Sequence, residues 1–188
     1  MPQHRHIIDV LKQNIKDIAR PNMFEVEFNT GLNNFSTPAV LEVSQHLVKS
    51  VNIPPTTLSD ISINRMGRKL IIPGGIEYTD LTINFHNDIE GITRKFINDW
   101  QKSYYETITK GNYKDLKSFI SGTVTIYQLN GNHERVSKIV CSKAYPKTIG
   151  DFDLGHETED SLLSFNSFFT FVYLQYSTKA PSFSDIVI

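Results

Sequence analysis

The residues of this sequence that could perform chemistry are scattered and do not form a recognisable catalytic set. His4 and His6 form a His-x-His pair that could bind a metal, but no third ligand is obvious and solvated histidines are the simpler interpretation. An acidic stretch could hold a cation through oxygen ligands, but it lacks the Asp-x-Asp-x-Asp-Gly spacing of a calcium loop and is more typical of a solvated loop. Its members are Asp151, Asp153, His156, Glu157, Glu159 and Asp160.

The single cysteine, Cys141, cannot form an internal disulfide or a zinc site built from several cysteines. It lies in a strand pattern in phase with Ile139, so we expect a small buried or interface side chain and not a nucleophile. The sequence contains no GxxxxGK phosphate loop, no GxGxxG, no GxSxG and no HExxH motif. We therefore predict that the protein is not an enzyme and needs no cofactor or metal.

Composition limits the class of protein. The chain has 188 residues, of which 39% are hydrophobic and 11% aromatic, and this is enough apolar material for a core. The formal net charge is -1, and this balance disfavours tight nucleic-acid binding, which requires a basic excess. The N-terminus is polar and no apolar run approaches the roughly 18 residues that span a bilayer, so we expect a soluble protein made in a reducing compartment.

Alternating apolar and polar residues predict a mainly β chain. Phe24 to Phe28 places three apolar side chains on one face and two glutamates on the other, and Leu81 to Phe85 alternates in the same way. Short apolar runs elsewhere indicate more strands, separated by turn residues. These strands are expected at Val40–Val51, Ile61–Ile63, Lys69–Ile72, Thr123–Leu129, Arg135–Tyr145 and Ser167–Tyr176, with turns at Pro73-Gly74-Gly75 and Asn130-Gly131-Asn132 and a strand end at Pro146.

Two segments have helical periodicity. Ile8, Leu11, Ile15 and Ile18 lie on one face of a short amphipathic helix that ends before Pro21. Asn87-Asp88 offers N-cap side chains for a second helix, from about Ile89 to Tyr105, whose buried face would include Ile89, Phe96, Trp100 and Tyr104. The predicted fold is a β-sandwich or barrel flanked by this helix, with an N-terminal helix or arm at 1–20, the main domain at 21–176 and a C-terminal arm at 177–188.

The last predicted strand is apolar on both faces. A strand of this kind must be covered on both sides, and one cover could be the domain's own second sheet or helix, the other a neighbouring subunit. Trp100 and the aromatic strand could instead be a ligand platform, although their spacing fits an ordinary core better. The predicted core or interface residues are Phe24, Phe96, Trp100, Phe169, Phe171, Val172 and Tyr173.

Four segments, in this order, resemble the tail tube protein family of contractile-tailed bacteriophages. They are Ala19–Phe28, with an Arg-Pro-Asn entry into a strand; Val48–Pro54, a strand ending in a hydrophobic-Pro turn; Asn64–Asp88 with Arg94–Phe96 and Asp99–Gln101 after it; and Phe168–Tyr176. The third segment is the most specific, and type VI secretion tube proteins are similar in fold. The chain departs from the family pattern at 29–44, 105–120 and 177–188, where it looks longer.

The resemblance implies a structural subunit. Six copies would close into a ring, with the sheets of all six joined in one continuous barrel around a channel for tape-measure protein and for DNA in transit. The rings would stack inside a sheath, between baseplate and terminator proteins, in the tail of a virion assembled in the host cytoplasm, with no membrane contact. The alternatives are a tube initiator or capping ring of the same fold and a monomeric β-sandwich that binds a ligand.

Stacking requires a protrusion that reaches the next ring, and the segment from Pro54 to Gly75 is our candidate. Prolines at 54, 55 and 73 would stiffen a long projecting hairpin that includes Gly74, although a simple hairpin of the domain is the alternative. Its basic run, Arg65, Arg68 and Lys69, could touch phosphate, but we favour contacts with acidic protein groups. The hairpin Thr123–Tyr145 is a candidate for the inner barrel, whose lining should not be basic because a basic wall would retain DNA.

Overall fold

The computed structural model describes residues 20–31, 45–109, 122–152, 154–155 and 162–178. The predicted N-terminal helix, with His4 and His6, lies outside the described residues, as do residues 179–188. Within the described ranges the chain forms ten strands and one long helix. They are β1 (Phe24–Asn29), β2 (Val48–Asn52), β3 (Thr56–Arg65), β4 (Arg68–Tyr78), β5 (Leu81–His86), α1 (Ile92–Thr109), β6 (Thr123–Leu129), β7 (Arg135–Ser142), β8 (Tyr145–Ile149), β9 (Ser164–Thr170) and β10 (Tyr173–Thr178).

The strands form two four-stranded sheets and a separate two-stranded hairpin. Sheet A has the order β1-β6-β7-β10, and sheet B has the order β2-β5-β9-β8. All of their pairings are antiparallel. The hairpin consists of β3 and β4, which pair only with each other among the described strands.

Aromatic side chains join the two sheets and the helix into one core. The ring of Phe28, in sheet A, lies 5.9 Å from Phe85 and 6.1 Å from Phe169, both in sheet B. The same ring lies 6.3 Å from Phe96 of α1, and Trp100 of α1 lies 5.7 Å from Phe169. The predicted fold, mainly β with a sandwich and a flanking helix, is therefore confirmed.

Helix α1 begins at Ile92 because Asp88 caps it. The Asp88 carboxylate accepts hydrogen bonds from the backbone N–H groups of Ile92 (2.7 Å) and Thr93 (3.2 Å). These two bonds satisfy two of the N–H donors that have no partner within the first turn of a helix. The predicted cap is confirmed, but the predicted start at about Ile89 is wrong. Gly91 has a φ of 67°, a left-handed conformation outside the helix, and Ile89 is fully exposed instead of lying on the buried face.

The chain crosses between the sheets at two corners that sequence reasoning missed. Pro146 was expected to end a strand, but it lies inside β8, at the edge of sheet B, where its missing N–H does no harm. The chain passes from β7 to β8 through Lys143, which has a φ of 58°. The expected strand Ser167–Tyr176 is likewise two strands, β9 in sheet B and β10 in sheet A, separated by Phe171 and Val172.

The other strand predictions hold with one exception. Strands β1, β5 and β6 lie where the alternation placed them, and the hairpin turn after β6 follows Leu129 as expected. In the described part of the expected strand Val40–Val51, residues 45 and 46 are helical and the strand begins at Val48, while residues 40–44 lie outside the described ranges.

Candidate assembly surface

The hairpin β3–β4 is the most exposed part of the described chain. Its strands run in register from Thr56 opposite Tyr78 to Arg65 opposite Arg68. The tight turn consists of Met66 and Gly67, whose φ values of 49° and 77° are those of a two-residue turn suited to the twist of a hairpin. The predicted hairpin is thus present, and its role in stacking stays a prediction.

The two faces of the hairpin differ in character. On one face, Ile61 lies opposite Ile72 and Ile63 lies opposite Leu70, and these four side chains are between 39% and 56% exposed. We call these four residues the apolar face. The other face is mixed, since Ser62 pairs with Ile71, Asn64 with Lys69 and Asp60 with Pro73. Four exposed aliphatic side chains in one ladder form an unusual surface for an isolated monomer.

The predicted turn at Pro73-Gly74-Gly75 is wrong, because these residues lie inside β4. A register shift between Leu58 and Asp60 accommodates them as a bulge, where the Ser59 hydroxyl donates a hydrogen bond to the Gly75 carbonyl (3.1 Å). A side chain at Gly74 would place its Cβ 2.9 Å from the Ser59 carbonyl oxygen, so glycine is required by this close approach.

Basic side chains gather at the tip of the hairpin. Arg65 and Arg68 face each other across the last pair of the ladder, next to Lys69, and all three are exposed. Within the described ranges none of the three forms a salt bridge, so the expected contact with acidic groups of protein is not made among these residues. Two like charges opposite each other are unfavourable, and an acidic partner would relieve the repulsion.

Pro54 and Pro55 connect sheet B to the hairpin. Pro54 is buried while Pro55 is exposed, so the first proline anchors the base of the hairpin and the second lies where the chain leaves the domain. Both restrict the backbone between β2 and β3, which fixes the direction of the projection.

An apolar groove opens between the edge strands β1 and β2. Its volume is about 860 Å³. Half-buried side chains of Phe24, Val48, Val51 and Ile139 line it and pack against the core below. Polar and charged residues form the rest of the lining, among them Arg20, Glu25, His46 and Lys49. Phe24, predicted as a core or interface residue, therefore lies at a surface opening and not in the closed core.

The remaining predicted core residues divide into two groups. Phe96, Trp100, Phe169 and Phe171 are buried. Val172 and Tyr173 are 46% and 52% exposed, so no described residue supplies the second cover expected for this part of the aromatic strand. The physical reason is the corner at Phe171–Val172, where the chain leaves sheet B and enters β10 at the edge of sheet A.

A network of charged side chains lies on the surface of sheet A that faces away from the core. The Arg135 guanidinium donates two hydrogen bonds to Glu25 (2.9 and 2.8 Å) and stacks 4.0 Å from the centre of the Tyr127 ring. The Tyr127 hydroxyl donates to Glu27 (2.9 Å). The hydrogen bond from Arg135 lowers the pKa of Glu25, so both groups stay charged and paired at neutral pH.

The described residues include no cluster that could hold a metal ion, and their cysteine is a poor nucleophile. Burial raises the pKa of the Cys141 thiol to about 12, which opposes thiolate formation and hence nucleophilic chemistry. Among the residues that the structure describes, no three His, Cys, Asp or Glu side chains stand close enough to hold a metal ion. Most of the predicted acidic stretch, from His156 to Asp160, and Asp153 lie outside these residues. Likewise, no described helix is both long and apolar enough to cross a bilayer.

Known proteins resemble this chain in sequence and in fold. Tail tube protein gp19 of Enterobacteria phage T4 is 24% identical over 153 residues, which cover 79% of this chain and 86% of the relative. The tube-terminating cap of the anti-feeding prophage matches the fold with a TM-score of 0.56 at 14% identity, covering 87% of this chain and 93% of that one. A PVC sheath-tube complex of an extracellular contractile injection system gives the same TM-score at 13% identity, covering 89% and 97% of the two chains.

The family model for the phage tail tube protein matches residues 19–179, which include every strand and the helix described above. The chain therefore belongs to the phage tail tube protein family and is a structural subunit of a tail tube.

Proposed function

We propose that identical copies of this chain close into a hexameric ring and that these rings stack into the tail tube. The observation that carries the proposal is the hairpin β3–β4, which projects with an uncovered apolar face. An isolated two-stranded hairpin is at best marginally stable in water, so it needs a surface to pack against. A neighbouring ring supplies that surface.

Unpaired sheet edges support the closure of each ring. Strands β1 and β10 border sheet A, strands β2 and β8 border sheet B, and within the described ranges none of them pairs further outward. Free edges expose backbone N–H and C=O groups and invite uncontrolled pairing. A ring of head-to-tail contacts between identical copies satisfies these groups and ends the growth of the sheet.

The outward surface of sheet A is our candidate for the wall of the channel. The hairpin β6–β7 contributes to this surface, and its Arg135 is neutralised by Glu25 and Glu27 of β1. Lys138, opposite Tyr127 on the same surface, is a second base, so Glu25 and Glu27 balance Arg135 and Lys138. A wall without a basic excess would release few counterions to passing DNA and therefore would not retain it. Tape-measure protein would occupy the same channel before DNA passes.

The relatives support a set of partners for the proposed tube. A sheath-tube complex and a baseplate of contractile injection systems contain chains with this fold, which supports a sheath around the tube and a baseplate below it. A terminator completes the other end. The subunit would act without catalysis, as part of a virion tail assembled in the host cytoplasm.

Negative-stain electron microscopy of the purified full-length protein tests this proposal. We expect rings with sixfold symmetry and hollow tubes built from them. A protein that stays strictly monomeric at high concentration would contradict it and would favour a monomeric β-sandwich module.

A tube initiator or capping ring is the second candidate. It is favoured by the similarity to the anti-feeding prophage cap, whose TM-score of 0.56 equals that of the sheath-tube complex. The same micrographs distinguish the two, because a cap or initiator should give single rings that do not lengthen with protein concentration, whereas a tube subunit should give tubes that do.

A further inference from the structure

We propose that Asn130 is a latent deamidation site, and that the turn between β6 and β7 holds it unreactive while that turn stays closed. Asn130 precedes Gly131, and the two form the only Asn-Gly pair in the 188-residue sequence. The inference concerns the chemical lifetime of the chain, so it goes beyond the proposed assembly and does not depend on it.

Deamidation of this pair needs only the chain itself and water. The backbone nitrogen of Gly131 loses its proton and attacks the side-chain Cγ of Asn130. The bond between Cγ and Nδ2 breaks, and the amide nitrogen takes up a proton and leaves as ammonia. Water then opens the five-membered succinimide at either carbonyl, which gives aspartate or isoaspartate. Glycine favours the attack because it has no Cβ to obstruct it.

The turn does not use the Asn-Gly pair for its left-handed backbone. The His133 N–H donates to the Asn130 carbonyl (3.0 Å), and the Asn130 N–H donates to the Glu134 carbonyl (3.0 Å). The positive φ of this turn, 61°, belongs to His133 and not to Gly131. Asn-Gly turns are usually favoured because both residues tolerate a positive φ, so that reason does not apply to this pair.

Three hydrogen bonds fix the side-chain amide of Asn130. Its Oδ1 atom accepts from the backbone N–H groups of Asn132 and Glu134, both at 2.9 Å. Its Nδ2 atom, which would leave in the reaction, donates to the Glu134 carboxylate (2.9 Å). An asparagine bonded in this way to its own backbone stabilises the turn. Because Cγ lies between the two fixed atoms, it approaches the Gly131 nitrogen only after these bonds break.

The flanking strands keep the turn closed. Strands β6 and β7 are the two central strands of sheet A, and their ladder runs from Thr123 opposite Ser142 to Leu129 opposite Arg135. Arg135, the first residue of β7, also donates two hydrogen bonds to Glu25 of β1. A turn between paired central strands opens rarely, and a reaction that needs the open turn proceeds only from that small population.

The two products differ in their effect on the turn. Aspartate at 130 would keep both hydrogen bonds to Oδ1 and lose only the one that Nδ2 donates to Glu134, since an ionised carboxylate has no donor. Isoaspartate would route the main chain through the side-chain carbon and lengthen the turn by one atom. The bonds between Asn130 and Glu134 could then not form again in the same register, so opening that led to isoaspartate would be irreversible.

Peptide mapping by mass spectrometry of the full-length protein tests the protection. The protein is incubated at pH 8, either folded or in guanidinium chloride, and the tryptic peptide 118–135 is then fragmented to separate Asn130 from Asn132. We expect Asn130 of the folded protein to react at least roughly tenfold more slowly than in denaturant, because three hydrogen bonds must break first. Equal rates, or a faster reaction in the folded protein, would overturn the inference.

A pair of variants at Glu134 tests the role of the side-chain contact. Glu134→Ala removes the acceptor of Nδ2 and keeps the backbone donors to Oδ1, whereas Glu134→Gln places a carbonyl oxygen where the carboxylate was. In the folded protein we expect Glu134→Ala to deamidate at Asn130 roughly fivefold faster than the unmodified sequence, and Glu134→Gln to stay within about twofold of it. In denaturant all three should react alike. Equal rates of the three folded proteins would contradict the role of this hydrogen bond.

Discussion

Truncation of Phe169 should be among the most destabilising single changes in this chain. The side chain is fully buried in β9, a central strand of sheet B. Its ring lies 6.1 Å from that of Phe28 and 5.7 Å from that of Trp100, so it joins both sheets and the helix. Phe169→Ala would leave a cavity where these three elements meet.

The expected loss in the free energy of unfolding follows from the burial of this side chain. Removal of a fully buried Phe side chain costs about 3–5 kcal/mol, which includes the cavity and the lost aromatic contacts. Typical domains have a free energy of unfolding of only about 5–15 kcal/mol. With a urea m-value of about 2–3 kcal/mol/M, the midpoint of unfolding should fall by roughly 1–2 M.

The neighbouring residue provides a matched control. Phe168 is half-buried and points to the opposite face of the same strand, opposite Thr82 and Thr148. Phe168→Ala removes the same atoms from a partly solvated position, so we expect a loss of about 1 kcal/mol. Urea unfolding followed by circular dichroism, at a fixed protein concentration because assembly adds to apparent stability, compares the two variants. Equal shifts of the two midpoints would refute the assignment of faces in β9.

Two further predictions concern ionisable groups. Burial raises the pKa of Asp88, but hydrogen bonds from the Ile92 and Thr93 N–H groups outweigh it and hold the pKa below its ordinary value. This carboxylate therefore stabilises the fold above about pH 4 and loses that effect as the pH falls further. Asp88→Ala should cost about 1 kcal/mol at pH 7 and less near pH 2, measured by thermal melts; a pH-independent loss would contradict the cap. Because burial raises the pKa of Cys141 to about 12, a thiol reagent at pH 8 should label it only in urea, and rapid labelling of the folded protein would count against its burial.

Local patterns in the sequence determine several elements of this protein directly. Strands β1, β5 and β6 alternate strictly because one face of each lies on the core and the other faces outward, so side-chain period and burial agree. The cap at Asp88 is equally local, because the capping group and the N–H groups it accepts from are only four and five residues apart. The order of these segments also carried the resemblance to the tail tube family.

The tertiary structure alone decides which strand partners each segment finds. Pro73-Gly74-Gly75 has the composition of a turn but lies inside a strand, because the pairing with β3 accommodates it as a bulge. The run from Ser167 to Tyr176 is apolar on both faces because it serves two sheets in succession, and not because one strand is buried twice. The apolar face of the hairpin and the groove between β1 and β2 share this origin. Each is assembled from residues on different strands, and only the folded backbone brings them together, so no periodicity within a single segment could reveal them.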